Sequence, residues 1–170
     1  ATIAGSVVGT YWFLMFIGRF VGGGLGAKFS SKAMLSFVAS LGLLFVLLAI
    51  FLPTDVVVNM PVFNKNISFG LAEVPASVMF LTLCGLCTSV MWGGIFNLAT
   101  EGLGKYTAAA SGIFMVMVCG GGILSTLQSY IADLFGYVQS YWVVIIGLLY
   151  ILYYALVGSR NVNKDIVVND

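Results

Sequence analysis

The stretch from Gly18 to Lys32, GRFVGGGLGAKFSSK, has the composition of a phosphate-binding loop, because clustered glycines stand beside an arginine and a lysine. Such a loop follows a β-strand and opens a helix, so that backbone N–H groups surround the phosphate. Here the glycines follow an apolar segment that begins at Ala1, and Gly18, Gly22 and Gly26 recur every four residues. That spacing places them on one stripe of a helix. We therefore expect this stripe to pack against a neighbouring helix.

Cys84-Gly85-Leu86-Cys87 has the CxxC spacing of redox and metal sites. The motif lies in an apolar run, and the chain has three cysteines and no histidine to complete a ligand set. Small residues that allow two helices to approach explain the pattern better. We expect neither a metal nor a redox cofactor, and no other cofactor.

The segment from residue 77 to 100 carries polar side chains at helical spacing. On a helical wheel, one broad face holds Thr82, Gly85, Ser89, Trp92, Gly93, Phe96, Asn97 and Thr100. Polar groups in an apolar helix meet either protein or a water-filled cavity, because they are costly in hydrocarbon. An amide such as Asn97 can bind sugar hydroxyls, and Trp92 and Phe96 offer flat faces for C–H surfaces. Simple bonding to neighbouring helices is an equally good explanation.

A second polar group follows in VCGGGILSTLQSYIAD. Gly120, Gly121 and Gly122 permit bending or close helix contact. Gln128 lies away from the stripe that contains Ser111 and Ser129, so we expect it to be the weaker candidate for contact with a substrate. A flexible helix packed by small residues is the alternative.

Titratable groups argue against an enzyme. Glu101 and Asp133 lie at the ends of apolar segments, and Asp55 and Glu73 lie in a polar loop. Without a histidine, a buried acid pair or a nucleophile motif, no catalytic constellation is recognisable.

Composition indicates whether the chain folds in water or in a membrane. The chain is 61% hydrophobic and 8% charged, whereas ordinary soluble domains are roughly a quarter charged. The net charge of +1 gives no indication of a nucleic-acid partner. The sequence therefore predicts an all-α protein in a lipid bilayer.

A spanning helix needs about 20 mostly apolar residues. Five segments meet this requirement, at about 1–25, 33–52, 77–100, 107–131 and 141–157. We expect one transmembrane domain over 1–157 with an outer loop at 53–76, which can form a small hairpin, and a cytoplasmic tail at 158–170. Asn66-Ile67-Ser68 in this loop matches a glycosylation triplet, a pattern that often arises by chance.

Basic residues predict the orientation, because Lys and Arg are enriched in cytoplasmic loops. One side of the five-span arrangement carries Lys28, Lys32, Lys105, Arg160 and Lys164, and the other side carries Lys65. The first helix is thus expected to begin outside and the C-terminus to be cytoplasmic. An odd number of spans and the apolar start at Ala1 indicate a fragment of a longer protein, one half of which would hold six helices.

Three stretches resemble the major facilitator superfamily. FIGRFVGGGLGAKFSSKAML resembles the foot of its eighth helix and the following cytoplasmic turn. SVMWGGIFNLATEGLGKYTAAASGIFMVMVCGGG and ADLFGYVQSYWVVIIGLLYILYYAL resemble helices ten to twelve of the fucose permease and glucose/galactose transporter branch. Two departures stand out: Gly93-Gly94 replaces a Pro-Thr pair of that branch after Trp92, and Ala27 stands where the superfamily often has an acid.

The resemblance implies secondary transport of a hexose across a bacterial inner membrane, by proton symport with alternating access. It implies the N-terminal half of the same transporter as a partner and places the proton-carrying carboxylates there. Trp92, Phe96, Asn97 and Gln128 are then the candidate sugar-binding residues. Arg19, Gly22 and Gly26 are the candidate conformational gate, where two helices slide or lock.

Two alternatives remain open. The first is a carrier of the same superfamily for a different solute, such as a drug. The second is a helical membrane subunit that binds only partner proteins, since glycine-rich helix faces suit assembly as well as transport.

Overall fold

The computed structural model describes residues 2–53, 55–64 and 68–160. The helices and strands are α1 (Thr2–Gly26), α2 (Ser31–Phe51), β1 (Val57–Asn64), β2 (Ser68–Pro75), α3 (Ala76–Thr100), α4 (Thr107–Met117), α5 (Gly120–Phe135), α6 (Tyr137–Ser140) and α7 (Trp142–Tyr153). A 3₁₀ turn at Gly104–Tyr106 precedes α4, and a π-helical turn at Tyr154–Gly158 continues α7.

Among the described residues, five helical segments are long and apolar enough to cross a membrane, which confirms the predicted all-α membrane class. The fourth, Gly104–Phe135, and the fifth, Tyr137–Gly158, each extend beyond the segments expected from hydropathy. The fourth begins with the 3₁₀ turn at Gly104–Tyr106, and the fifth begins with the short helix α6 at Tyr137–Ser140. Of the expected tail, residues 161–170 lie outside the described residues, as do Lys65, Asn66 and Ile67 of the loop.

Helix α2 packs through one buried stripe, which consists of Leu35, Ala39, Gly42, Val46 and Ala49. Their alternating spacing of four and three residues keeps them on one face of the helix. This stripe contacts Cys87 and Met91 of α3 and Ile145 and Leu148 of α7. Helix α3 thus lies between α1 and α2, and α7 packs against the same buried stripe of α2 as α3 does.

The turn between α1 and α2 and the end of α3 lie at the same end of the bundle. Lys32 and Ser31, at the start of α2, line one cavity together with Thr100 and Glu101. We call this the lysine end. The opposite end carries the β-hairpin, and we call it the hairpin end.

The predicted hairpin is confirmed. Strands β1 and β2 pair antiparallel, from Val57 opposite Pro75 to Asn64 opposite Ser68. One face of the hairpin buries Met60, Val62 and Val74, which pack against Val7 of α1 and against Val78 and Met79 of α3.

The fourth span differs from the others because neither α4 nor α5 contains a buried residue. The helix is interrupted at Val118 and Cys119, directly before the three consecutive glycines. Phe114 connects this span to α3, where its ring lies 5.1 Å from that of Trp92 and 5.4 Å from that of Phe96.

Candidate functional site: two cavities along the central helix

The glycine stripe of α1 contacts α3, as expected for two of its three members. A Cβ atom added to Gly18 would collide with the Ser89 side chain and lie 3.1 Å from the Leu86 carbonyl oxygen. One added to Gly22 would lie 2.6 Å from Cγ2 of Val90. The two helices therefore approach so closely that only glycine fits at both positions.

The stripe prediction is wrong for Gly26. A Cβ added there has no heavy atom within 4 Å, because α1 ends at this residue and the chain turns away into residues 27–30. Gly26 instead lines a second cavity at the lysine end, separate from the one that Lys32 and Glu101 line, and we call this second one the lysine-end cavity.

The lysine-end cavity has a volume of about 360 Å³, within the range of roughly 300–1,000 Å³ for small-molecule sites. Its polar lining consists of Arg19 from α1, Ser31 from α2, and Ser89 and Asn97 from α3. Gly22 and Gly26 complete one wall. All three candidate gate residues thus share a cavity with Asn97, a candidate sugar-binding residue.

Arg19 is exposed, and the contact shown for its Nη2 atom is a long one, 3.9 Å from the Met15 sulfur on the same helix. A thioether is a weak acceptor, so the guanidinium donors are available to a polar group inside this cavity. At the start of α2, the Ser30 side chain caps the helix by accepting from the Ala33 N–H at 3.3 Å.

The hairpin-end cavity, of about 430 Å³, lies on the other side of the close contact between α1 and α3. Gln128 of α5 lines it together with Tyr11, Thr82, Thr88 and Tyr141. The Tyr11 and Thr88 hydroxyls are hydrogen bonded to each other at 3.1 Å and join α1 to α3.

Sequence reasoning did not select Tyr11 or Thr88. The signal for Tyr11 was available, because it stands seven residues before Gly18 and so lies on the same helix face. Thr88 gave no such signal, since hydroxyls in apolar helices commonly bond to their own backbone. Thr88 does this as well, to the Cys84 carbonyl oxygen at 3.1 Å.

The four candidate sugar-binding residues do not form one cluster. Asn97 lies in the lysine-end cavity and Gln128 in the hairpin-end cavity. Trp92 and Phe96 pack on Phe114 of α4. The polar face expected on α3 is likewise divided, since Thr82 and Ser89 are buried and bond to carbonyl oxygens of their own helix.

The CxxC pair lies on the side of α3 that faces α2. Cys87 is buried in the core and Cys84 is half-buried, with its thiol 3.9 Å from the Gly42 carbonyl oxygen. Both are free thiols. Within residues 2–53, 55–64 and 68–160, no group of three potential metal ligands occurs.

Sequence similarity links the chain to several sugar transporters, of which two are described here. The chain is 39% identical over 77 residues to a glucose/galactose transporter of Brucella abortus. The aligned residues make up 45% of this chain and 19% of that protein. It is 28% identical over 155 residues to a provisionally named glucose/galactose transporter of Helicobacter pylori. This alignment makes up 88% of the chain and 33% of that protein. No protein-family model matches the chain, and no solved structure matches it.

The chain therefore spans a third or less of the length of these relatives. Their names support a family of sugar transporters, and the five apolar helices agree with a multi-pass integral membrane protein.

Proposed function

We propose that this chain forms helices eight to twelve of a major facilitator superfamily transporter that carries a hexose, coupled to protons, by alternating access. The observation that carries the proposal is the similarity to the Helicobacter pylori protein over 155 residues, 88% of this chain. The five spans and the two polar-lined cavities along α3 support it physically.

In this proposal the candidate residues act at different heights of one sugar route. Asn97 meets the sugar at the lysine end and Gln128 meets it at the hairpin end. Trp92 and Phe96, with their aromatic faces, border the route between these positions. A route that opens alternately to the two sides requires polar groups on both sides of a closable contact.

The contact between α1 and α3 is the proposed gate. Gly18 and Gly22 meet Ser89 and Val90 so closely that a small relative shift of the helices changes which groups touch. Packed interfaces of this kind switch between discrete arrangements and do not deform continuously. Arg19, Gly22 and Gly26 line the adjoining cavity, where such a shift changes access.

The N-terminal half of the same protein completes the route and supplies the proton-carrying carboxylate. Among the described residues, Glu101 and Asp133 lie near helix ends, and Asp55 and Glu73 lie at the hairpin. We further propose that the lysine end and the C-terminus face the cytoplasm of a bacterium, because Lys and Arg mark cytoplasmic loops.

Reconstitution of the complete protein tests this function. Proteoliposomes are assayed for uptake of labelled glucose, galactose and fucose, with an imposed pH gradient and with sodium in place of potassium. Acid-outside uptake of at least one hexose is the expected result. Uptake of no hexose but of another solute class indicates a different carrier, and the absence of any solute flux indicates a subunit that only binds partners.

Replacement of Trp92 separates a sugar contact from simple packing. Trp92→Ala is expected to lower hexose uptake more than it lowers the amount of protein in the membrane, because an aromatic face against the sugar is lost. Trp142→Ala is the matched control. Trp142 lies at the start of α7, is similarly exposed, and packs edge-on against Phe51 at the end of α2. Equal losses of uptake and of membrane protein for Trp92→Ala contradict the assignment.

Replacement of Arg19 tests the gate. Arg19→Ala is expected to slow turnover while leaving the sugar affinity nearly unchanged, because the guanidinium acts on the helix movement and does not bind the sugar. Counterflow rates and equilibrium sugar binding give the two quantities separately. A collapse of affinity places Arg19 in the sugar site.

A further inference from the structure

The Tyr11 ring of α1 is held against α3 in a defined position. A Cβ atom added to Gly85 would lie 3.1 Å from Cδ2 and 3.4 Å from Cε2 of this ring, so the glycine leaves the space beside which the ring packs. About one turn further along α3, the Thr88 hydroxyl lies 3.1 Å from the Tyr11 hydroxyl. The ring is therefore fixed along one edge and also at its hydroxyl group.

The direction of the hydrogen bond between the two hydroxyls follows from the other contacts of Thr88. Its Oγ1 atom lies 3.1 Å from the Cys84 carbonyl oxygen and 3.2 Å from that of Gly85, both in its own helix. A hydroxyl has one hydrogen and a carbonyl oxygen can only accept, so the Thr88 hydrogen is directed to the backbone of α3. Tyr11 then donates to Thr88, and its phenol oxygen keeps a lone pair that can accept a further hydrogen bond.

The hairpin-end cavity, of about 430 Å³, is lined by Tyr11 and Thr88 together with Gln128 and Tyr141. Gln128 forms no hydrogen bond with any residue that the structure describes, so its amide donors and its acceptor are available to a ligand. All described residues that line this cavity are uncharged. A charged ligand would lose its hydration here without a counter-ion, whereas neutral hydroxyl groups can pair with hydroxyls and an amide.

This polar group lies at the middle of the spanning helices. Thr88 is the central residue of α3, which runs from Ala76 to Thr100, and the Tyr11 hydroxyl lies at the same height. Asn97 lies nine residues further along α3, which corresponds to about 13 Å towards the lysine end. Substrate sites of secondary transporters lie near the midplane of the bilayer, and that is the height of the Tyr11 hydroxyl.

We propose that Tyr11 determines sugar specificity: its phenol oxygen accepts a hydrogen bond from one hydroxyl of the hexose, and Thr88 positions the phenol for this contact. This role rests on the hexose transport proposed above. A site that pairs with a particular hydroxyl rejects an analogue that lacks it, because its own polar group is left unpaired. An acceptor requires a hydrogen on the sugar oxygen, which neither a hydrogen atom nor a fluorine atom in place of that hydroxyl can supply.

Binding of sugar analogues to the complete transporter tests this contact. Dissociation constants are measured by isothermal titration calorimetry for D-glucose, D-galactose and L-fucose and for their monodeoxy and monofluorodeoxy analogues. Replacement of the hydroxyl that meets Tyr11 by hydrogen or by fluorine is expected to weaken binding by about 2- to 10-fold, as for one neutral hydrogen bond. In Tyr11→Phe this penalty is expected to disappear, while the penalties at the other ring positions remain.

Tyr150→Phe is the matched control, because it also removes a phenol hydroxyl, at a 69% exposed position of α7. It is expected to keep every penalty. An equal weakening of all sugars and analogues in Tyr11→Phe shows that Tyr11 only packs, and overturns the proposal. Full binding of the fluorinated analogue at the position that responds to Tyr11→Phe overturns the assignment of Tyr11 as the acceptor.

Thr88 offers a second test that leaves the phenol in place. Thr88→Val removes the acceptor that fixes the Tyr11 hydroxyl and nearly preserves the side-chain shape, so the penalty at the same ring position is expected to shrink. Thr88→Ser retains the hydroxyl and is expected to retain the penalty. An unchanged penalty in Thr88→Val overturns the positioning role of Thr88.

Failure of the proposed function gives a different result from failure of this contact. If the wild-type transporter binds none of the three sugars, hexose transport itself is contradicted, and the Tyr11 contact with it. If the wild-type transporter binds a hexose and Tyr11→Phe keeps every penalty, only the Tyr11 contact is overturned.

Discussion

Two glycine clusters of this chain look alike in the sequence and behave differently in the fold. On α1, Gly18 and Gly22 face α3 so closely that a side chain does not fit. On α5, Gly120, Gly121 and Gly122 have no heavy atom within 4 Å of a Cβ position. The first cluster joins two helices, whereas the second follows a helix interruption at Val118 and Cys119.

The difference shows that a glycine run in an apolar segment has at least two structural uses. Spacing of four residues builds a continuous groove for a neighbouring helix. Three consecutive glycines point in three directions around the helix. Of the run at 22–24 only Gly22 meets α3, and α1 continues through it, whereas no member of the run at 120–122 meets a neighbour. In a membrane, where lipid is as apolar as leucine, close packing of small residues is what holds helices together.

Filling the α1 groove is expected to have the largest effect. Gly22→Ala places a Cβ 2.6 Å from Val90 Cγ2, and overpacking of this kind costs up to about 3 kcal/mol. The measurement is the free energy of unfolding of the complete transporter in mixed detergent micelles. Combination with Val90→Ala is expected to recover most of the loss, because it removes the colliding methyl group.

Gly23→Ala and Gly121→Ala are the controls for this substitution, since neither Cβ meets an atom within 4 Å. Alanine also has a higher helix propensity than glycine, so both variants are expected to keep or slightly raise the free energy of unfolding. If Gly121→Ala lowers the free energy of unfolding as much as Gly22→Ala does, the two glycine clusters do not differ in the way described.

A smaller effect is expected where α1 holds the hairpin. Thr10→Val removes the acceptor for the Phe63 N–H and leaves this donor unpaired, which costs about 1–2 kcal/mol. Thr10→Ser is the matched control, because it retains the hydroxyl. Hydrogen exchange of the Phe63 amide, together with the free energy of unfolding, reports the loss; an unchanged exchange rate in Thr10→Val contradicts it.

The smallest effect concerns the aromatic contact between the fourth span and α3. Phe114→Ala removes the ring that packs on Trp92 and Phe96, and aromatic pairs contribute about 0.5–1.5 kcal/mol beyond their buried area. Faster hydrogen exchange in α4 is expected, with the exchange of α2 unchanged. Ile113→Ala, at a neighbouring exposed position, serves as the control, and an equal response in both variants shows that the rings do not connect the two helices.

Local patterns predicted the groove, because Gly18 and Gly22 repeat at the helical period. They failed at Gly26, because the end of α1 depends on how the chain turns at residues 27–30. They also grouped Thr82, Ser89 and Asn97 on one face, although Thr82 lines the hairpin-end cavity and Ser89 and Asn97 line the lysine-end cavity. A helical wheel shows the direction in which each side chain points from the helix axis. It does not show which stretch of the helix a neighbouring helix covers.

The sequence by itself determined the membrane class, the five spans and the hairpin, because apolar content, segment length and alternation are local properties of the chain. Only the tertiary structure decided which glycines form a contact, that Asn97 and Gln128 line separate cavities, and that Tyr11 and Thr88 join α1 to α3. These outcomes depend on the distance between helices that are far apart in the chain. That distance is set by the side-chain volumes on both contacting surfaces. The sequence of one helix gives the volumes on only one of the two surfaces.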